Sequence, residues 1–178
     1  MIDPETTQLP DGHPWLRVAD ETWSDPLDPA FAQIHGGRWN PPHSYATLYL
    51  NEDLATARAQ IRLMLEGSPV RPEDIDQGYV LVTATIPGRQ KVADGVTDVG
   101  LEALGLPSTY PLTESGHSTP HEVCQPIGSD VKELGLRGIH ARSAAISDGS
   151  GRELAWFPAR RSSRATPVGT PISFNEWW

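Results

Sequence analysis

The chain has 178 residues, enough for one domain to bury a hydrophobic core without disulfides or a metal ion. Six tryptophans, four tyrosines and three phenylalanines among 38% hydrophobic residues indicate a folded globule, whereas 17 prolines and 16 glycines indicate many loops. The formal net charge of -9 argues against general binding to nucleic acid or to an acidic membrane surface. This composition favours a loop-rich α/β or α+β protein with at most a local cationic site.

Cysteine usage and the N-terminal residues bear on the compartment. Cys124 is the single cysteine, so no disulfide forms within the chain, as expected for a cytoplasmic protein. We expect its side chain to be buried as a small apolar group, with a thiol role left open. The first residues lack the basic start and apolar run of a signal peptide, and no later run is long enough to span a bilayer. The sequence therefore predicts a soluble, cytoplasmic protein.

The chain begins with a polar segment that contains proline and shows no apolar period. Residues 1–13 are therefore predicted to form a flexible N-terminal arm, followed by a single domain over residues 14–178. A short strand is predicted over residues 14–19, with Trp15 and Arg17 on the same face. Arg17 either faces a ligand or, as is usual for an edge strand, points into solvent.

Residues 35–42 read HGGRWNPP. The two glycines allow close approach of the backbone to a ligand, Arg38 supplies a planar and permanently charged group, and the two prolines stiffen the exit. This combination suits an anionic ligand. The alternative is a tight turn in which Arg38 points into water and Trp39 packs in the core, and both interpretations stay open.

A helix is predicted after the apolar segment that ends at residue 50. Asn51 or Asp53 can cap it, and Gly67 can end it after residue 66. Gln60 lies beside the apolar stripe, so it either faces the space in front of Tyr49 or sits at the rim of the core. The predicted buried stripe consists of Leu54, Ala57, Ile61, Met64 and Leu65.

The rest of the chain alternates strands and helices. A helix is predicted to start at residues 118–120 and to run to Gly135, with Pro126 and Gly128 expected to kink or divide it. Strands are predicted over residues 79–86, 91–96, 137–143 and 153–157, and one or two helical turns over residues 99–106. The strand over residues 91–96 is expected to pair with the strand over residues 79–86.

Several common motifs are missing. The chain contains no G-x-x-x-x-G-K-S/T loop, no G-x-G-x-x-G after a strand and no G-x-S-x-G elbow, which argues against common nucleotide hydrolases, dinucleotide dehydrogenases and esterases. His117 and His121 have the spacing of metal ligands on a helix, but Pro120 marks a helix start between them. We therefore expect no metal.

Three segments in order resemble the RES domain family, named for its arginine, glutamate and serine. Residues 36–42 (GGRWNPP) resemble the family's G-G-R-W-N-x-x-G block. Tyr49 and residues 53–60 (DLATARAQ) resemble its tyrosine and alanine-rich helix. Residues 138–143 and 151–157 resemble its strand, serine, glycine turn and closing strand. The resemblance covers nearly all of the predicted domain.

Members of this family cleave NAD+, some by phosphorolysis, and others ADP-ribosylate a protein. The resemblance implies a compact α/β, or α+β, domain with a central mixed sheet, similar to the fold of ADP-ribosyltransferase toxins. It also implies NAD+ as the substrate, with no metal, and a toxin-antitoxin pair in which a small antitoxin blocks the NAD+ cleft with its C-terminal segment. Whether the chain forms a homo-oligomer stays open.

The resemblance also implies roles for individual residues. Arg17 and Arg38 match the arginines that contact NAD+, Tyr49 matches the active-site tyrosine, and Ser143 matches the family serine. Gln60 stands where the family places its glutamate. The implied catalytic residues are Arg38, Tyr49, Gln60 and Ser143, and the implied nucleotide-binding residues are Arg17, Arg38, Trp39, Tyr49 and Ser143.

This sequence departs from the family pattern at three positions, with Gln60 for the glutamate, His43 for a glycine and Arg142 for a proline. Glutamine keeps hydrogen bonds to ribose hydroxyls but loses the charge that stabilises an oxocarbenium-like transition state. Losing one such stabiliser typically costs on the order of a hundred- to a thousandfold in rate. Glu52 supplies the charge only if the fold brings it into the cleft, and Glu66 is on the far side of the helix.

Three functional hypotheses follow. The first is an NAD+-consuming enzyme of the RES type, either a phosphorylase or glycohydrolase or an ADP-ribosyltransferase. The second is a catalytically weak RES-like module that binds a nucleotide or a partner protein, and the third is an unrelated structural or interaction protein. The first two require Arg38 and Ser143 to meet across one cavity.

Overall fold

The structure, a computed structural model, describes residues 2–75 and 78–178. In this part of the chain the strands are β1 (Thr6–Gln8), β2 (Trp15–Asp20), β3 (Leu48–Asn51), β4 (Tyr79–Thr85), β5 (Lys91–Gly95), β6 (Gly138–Arg142), β7 (Arg152–Trp156), β8 (Thr166–Pro167) and β9 (Ile172–Ser173). They form one sheet in the order β1-β5-β6-β7-β3-β2-β4-β8, and β9 also pairs with β4. The β5 and β6 strands are parallel, and the other pairs are antiparallel. The predicted α/β domain with a central mixed sheet is confirmed.

Five α-helices connect and cover these strands in the described residues. They are α1 (Ala30–His35), α2 (Leu54–Met64), α3 (Asp98–Ala103), α4 (His121–Glu133) and α5 (Phe174–Trp177). The predicted cap of α2 is confirmed, because the Asp53 carboxylate accepts a hydrogen bond of 2.7 Å from the Thr56 backbone N–H. None of these helices has the length and apolar content needed to cross a membrane.

The sheet separates two hydrophobic layers, as the alternation along β7 illustrates. Leu154 and Trp156 point into a cluster with β2, β3 and β4, whereas Ala155 and Phe157 point into a cluster with α4. A third cluster joins α2 and α5 to β2 and β4. The helices α2 and α4 thus pack against the sheet through different hydrophobic clusters.

Two predictions about the sheet are wrong. The segment predicted to be a flexible arm, of which Met1 lies outside the described residues, contains β1 and pairs with β5, and Leu9 is buried. The strand β5 does not pair with β4 as expected, but lies between β1 and β6. Both errors concern non-local pairing, which local sequence pattern does not specify.

The two long helices also differ from the prediction. Met64 was assigned to the buried stripe of α2 but is 51% exposed at the end of that helix. The helix α4 runs through Pro126 and Gly128 as one element and is not divided. A Cβ atom at position 128 would lie 1.8 Å from the Trp39 carbonyl oxygen, so this glycine allows α4 to contact the loop that carries Arg38.

The site lies beside an interruption in the sheet. The strand β2 pairs with β4 at six positions but with β3 only at Leu16 and Asn51. Beyond that pair β2 and β3 no longer share a ladder, and Arg17 and Val18 on one strand and Tyr49 on the other line a cleft. The termination of this ladder positions the site.

The close contact at Gly128 predicts the effect of a substitution. We expect Gly128→Ala to lower the free energy of unfolding by about 1–3 kcal/mol, because the added methyl group must displace α4 or the Trp39 backbone. Chemical denaturation measures this change, with Glu133→Ala at an exposed position of the same helix as the control. Equal stability of the two variants would contradict the packing described here.

Candidate functional site

A cleft of about 560 Å³ opens between β2, β3 and α2, within the size range of small-molecule sites in proteins. Five of the predicted site residues line it, namely Arg17, Arg38, Tyr49, Gln60 and Ser143. Arg38 and Ser143, far apart in the sequence, therefore border the same cavity. The structure thus satisfies the geometric condition on which both nucleotide-related hypotheses depend.

Arg17 is not the solvent-exposed edge residue that was the default interpretation. It is 7% exposed on an internal strand, and its Nη1 donates a hydrogen bond of 3.1 Å to the Tyr49 carbonyl oxygen. Burial lowers the pKa of its guanidinium to about 10, and Asp25 and Asp28 oppose that shift. Arg17 therefore remains a cation at neutral pH, and its buried Nε has no partner among the described residues.

Arg38 is held by the start of α4. Its Nη1 donates a hydrogen bond of 2.7 Å to the carbonyl oxygen of Thr119, and the buried Cys124 sulfur lies 4.0 Å from the same nitrogen. Burial acts to lower the pKa of Arg38, but nearby acidic groups, among them Glu153, raise it by more. The predicted burial of Cys124 is confirmed, and Arg38 is a fixed cation at the cleft wall.

Tyr49 contributes its ring to the cleft, while its hydroxyl group stabilises the loop that carries Arg38. The hydroxyl accepts a hydrogen bond from the Trp39 backbone N–H and donates one to Asn40 Oδ1, both at 2.8 Å. A Cβ at Gly37 would lie 2.6 Å from the ring, so only glycine permits this contact. Burial raises the pKa of Tyr49 well above its ordinary value, so the hydroxyl is neutral and unsuited to act as a base.

The predicted contact between Trp39 and the ligand requires correction. The Trp39 side chain is fully buried and does not line the cleft. Its ring packs in the cluster against α4, and its Nε1 donates a hydrogen bond of 3.2 Å to Glu153 Oε1. Arg38 lines the cleft, as the ligand-binding interpretation of this loop expects. Trp39 packs in the core, as the tight-turn interpretation expects.

Glu153 is the site residue that the sequence analysis missed. It is partly buried on β7, lines the cleft, and accepts a second hydrogen bond of 3.0 Å from the Ser143 hydroxyl at Oε2. Burial raises the pKa of this carboxyl group, although Arg38, Ser143 and Trp39 act in the opposite direction. The sequence signal was an acidic residue in an otherwise apolar strand, which also fits an ordinary surface position.

Gln60 also borders the cleft and is tied to β3. Its Oε1 accepts a hydrogen bond of 2.8 Å from Asn51 Nδ2, so its side-chain oxygen is engaged by protein. Of the acidic residues considered as substitutes, Glu52 pairs with His140 at 2.9 Å and Glu66 is exposed, and neither lines the cleft. The carboxylate beside Ser143 is therefore that of Glu153.

The two histidines with the spacing of metal ligands have different surroundings. His121 lines the cleft, whereas His117 makes local contacts with Ser115. Over residues 2–75 and 78–178 no group of three or more acidic, histidine or cysteine side chains is arranged around a common metal position. His43, which replaces a glycine of the resembled block, has a φ of 56°, a conformation that glycine adopts freely.

Comparison with known proteins assigns the class. The profile of the RES domain family matches residues 13–174, and the chain belongs to this family. The fold is similar to that of a chain in the crystal structure of the MbcT-MbcA toxin-antitoxin complex of M. tuberculosis, with a TM-score of 0.76 and 18% identity over 97% of this chain and 89% of that one. The sequence has no significant match among curated proteins.

The Tyr49 hydroxyl generates a stability prediction. We expect Tyr49→Phe to lower the free energy of unfolding by about 1–3 kcal/mol, because the buried Trp39 N–H loses its partner. Urea denaturation measures the loss. Tyr79→Phe is the control, because Tyr79 also lines the cleft but its hydroxyl makes no hydrogen bond to the described residues. If both variants have the stability of the wild type, the hydroxyl does not support the loop.

The raised pKa of Glu153 predicts a pH dependence. The native state holds this proton more tightly than the unfolded chain, so the carboxyl group costs stability as pH rises from its unfolded pKa through its native pKa. We expect Glu153→Gln to gain stability relative to the wild type as pH rises above about 4.3, the ordinary pKa of a glutamate side chain.

Glu52→Gln is the matched control with the opposite sign. The hydrogen bond and charge of His140 lower the pKa of Glu52, so this carboxylate contributes stability that is lost as pH falls. Relative to the wild type, this variant should lose stability as pH rises from the acid range to about 4.3, the ordinary pKa of a glutamate side chain. Denaturation curves across the pH range measure both differences, and slopes of the same sign would contradict the environments described for these residues.

Proposed function

We propose that this RES-domain protein cleaves NAD+ at the bond between nicotinamide and ribose. The observation that carries the proposal is the convergence of Arg17, Arg38, Tyr49 and Ser143 on one cleft of suitable size. NAD+ combines a pyrophosphate, which needs cations, with a cationic nicotinamide ribose, which needs a polar and partly dry surrounding. Side chains that line the cleft supply both kinds of environment.

The arginines fit the pyrophosphate. Both guanidinium groups are fixed by hydrogen bonds to backbone carbonyl oxygens, so they require little ordering when an anion binds. Charge-assisted hydrogen bonds from arginine to phosphate are among the stronger polar contacts available to a protein. In this assignment Arg17 uses its unpaired Nε, and Arg38 uses the donors not bound to Thr119.

Other residues of the cleft lining fit the nicotinamide ribose. The Tyr49 ring offers an aromatic surface, Asn51 and Gln60 offer amide groups, and Ser143 and Glu153 offer a hydroxyl and a carboxylate. As the glycosidic bond breaks, positive charge accumulates on the ribose, and fixed dipoles and anions at that point lower the barrier. The chemistry of these side chains supports bond cleavage as well as binding.

Nicotinamide release tests the proposal directly. The purified protein is incubated with NAD+ with and without phosphate, and products are separated by chromatography. Release that depends on phosphate identifies a phosphorylase, release without phosphate identifies a glycohydrolase, and transfer to protein identifies an ADP-ribosyltransferase. Binding of NAD+ without release of nicotinamide under all these conditions would contradict the proposed reaction.

Substitution of Arg17 tests the assigned phosphate contact. We expect Arg17→Gln to weaken NAD+ binding at least about tenfold, because a charge-assisted hydrogen bond contributes roughly 1.5–3 kcal/mol. Arg89→Gln is the control, since the Arg89 side chain is 82% exposed and lies outside the cleft lining. Calorimetry measures both dissociation constants, and wild-type affinity of a folded Arg17→Gln protein would remove this residue from the site.

One observation favours a second candidate, a module that binds NAD+ or a related nucleotide with little turnover. Gln60 stands where the family places its glutamate, and its side-chain oxygen is already bonded to Asn51. It therefore presents no negative charge to a ribosyl cation. Tight binding of NAD+ with no product formation would favour this candidate over the enzyme.

The mouth of the cleft supports a protein partner of the antitoxin kind. Phe31, Leu63 and Met64 line the cleft and are 53%, 44% and 51% exposed, which is unusual for three large apolar side chains on one site. The structurally similar chain comes from a toxin-antitoxin complex. A cognate antitoxin would cover these side chains and close access to the arginines.

A further inference from the structure

We propose that Glu153 is the carboxylate that stabilises the ribosyl cation, in place of the glutamate missing at position 60. This inference rests on the proposed function and names a further catalytic residue for it. The carboxylate comes from β7, which pairs with β3, whereas Gln60 lies on α2. The charge would thus be supplied by a different element of the same cleft.

The register of the sheet brings the two positions together. Asn51 on β3 is the direct cross-strand partner of Glu153, and side chains at such paired positions have Cβ atoms about 5 Å apart on the same face. The Asn51 amide in turn donates its hydrogen bond to Gln60. Gln60 and Glu153 therefore lie on either side of one asparagine, and all three line the cleft.

Two neutral donors fix the orientation of the Glu153 carboxyl group, but neither of them is a cation that would balance a negative charge on it. Ser143 and Trp39 each donate one hydrogen bond to a different carboxylate oxygen. No salt bridge to Glu153 forms in the described part of the chain, although the cation of Arg38 lies near enough to act on it electrostatically. A partly buried carboxyl group that lines a cleft and has no cation paired with it is characteristic of a functional group.

Other carboxylates are less suited to this role. Asp20 also lines the cleft, but its Oδ1 accepts hydrogen bonds from both the backbone N–H and the hydroxyl of Thr22 in a local turn. Glu52 is paired with His140 outside the cleft lining. Glu153 alone of these three contacts Ser143, the residue that matches the serine of the family.

The bond between ribose C1′ and the nicotinamide nitrogen breaks, and its electron pair leaves with neutral nicotinamide. The ribose becomes an oxocarbenium-like cation, which the Glu153 carboxylate stabilises electrostatically. A phosphate dianion or a water molecule then forms the new bond to C1′. When water is the acceptor, its proton passes to Glu153, and a phosphate oxygen brings no proton to the new bond.

Glu153→Gln is the decisive variant because it keeps the side-chain shape and removes the charge. We expect kcat for nicotinamide release to fall on the order of a hundred- to a thousandfold, with NAD+ affinity close to that of the wild type. Glu52→Gln, which neutralises a carboxylate outside the cleft, is expected to keep wild-type kcat and affinity. The double variant Glu153→Gln/Gln60→Glu, which returns a charge to the cleft, should be faster than Glu153→Gln.

The possible results separate this inference from the proposed function. Wild-type kcat in Glu153→Gln would overturn the role of Glu153 alone, as would a loss of NAD+ affinity as large as the loss of kcat. A double variant no faster than Glu153→Gln would show that charge in this part of the cleft is not the reason for the loss. A wild-type protein that binds NAD+ but releases no nicotinamide would instead contradict the proposed reaction, and this role with it.

Discussion

The contact between the Glu153 carboxylate and its two donors is the interaction on which the site depends. One oxygen receives the hydrogen bond of Trp39, 114 residues away in the chain, and the other that of Ser143. The first bond anchors the loop that carries Arg38 to the sheet, and the second fixes the turn after β6. A carboxylate can occupy such a position only when donors surround it, so the same residues that satisfy Glu153 also assemble the cleft.

The rest of the loop is supported from the opposite direction. Tyr49 binds the loop through its hydroxyl, and Gln125 on α4 donates a hydrogen bond of 2.9 Å to the Gly37 carbonyl oxygen. Gly128 allows α4 to approach the Trp39 carbonyl. Sheet and helix therefore clamp one short glycine-rich segment between them, which leaves Arg38 with a fixed orientation. The fixed arginine in turn needs little reorganisation to bind an anion.

The sequence predicted which residues line the cleft better than it predicted the contacts between distant segments of the chain. Arg17, Arg38, Tyr49, Gln60 and Ser143 were all named as matches to residues of the resembled family, and all five line one cavity. Trp39 was misassigned because a side chain beside a glycine turn can point either way, and only its packing against α4 decides. Glu153 was missed because its partners come from distant segments, and the pairing of β1 with β5 was missed for the same reason. Periodicity specifies elements, whereas long-range register requires the folded chain.

The central claim is that one cleft holds the pyrophosphate and the nicotinamide ribose of NAD+ together. The most direct measurement is a crystal structure of the protein with a non-cleavable NAD+ analogue. The account predicts the pyrophosphate within hydrogen-bond distance of Arg17 and Arg38, and ribose C1′ next to Ser143 and Glu153. An analogue bound elsewhere, or bound with its nicotinamide ribose away from Glu153, would contradict it.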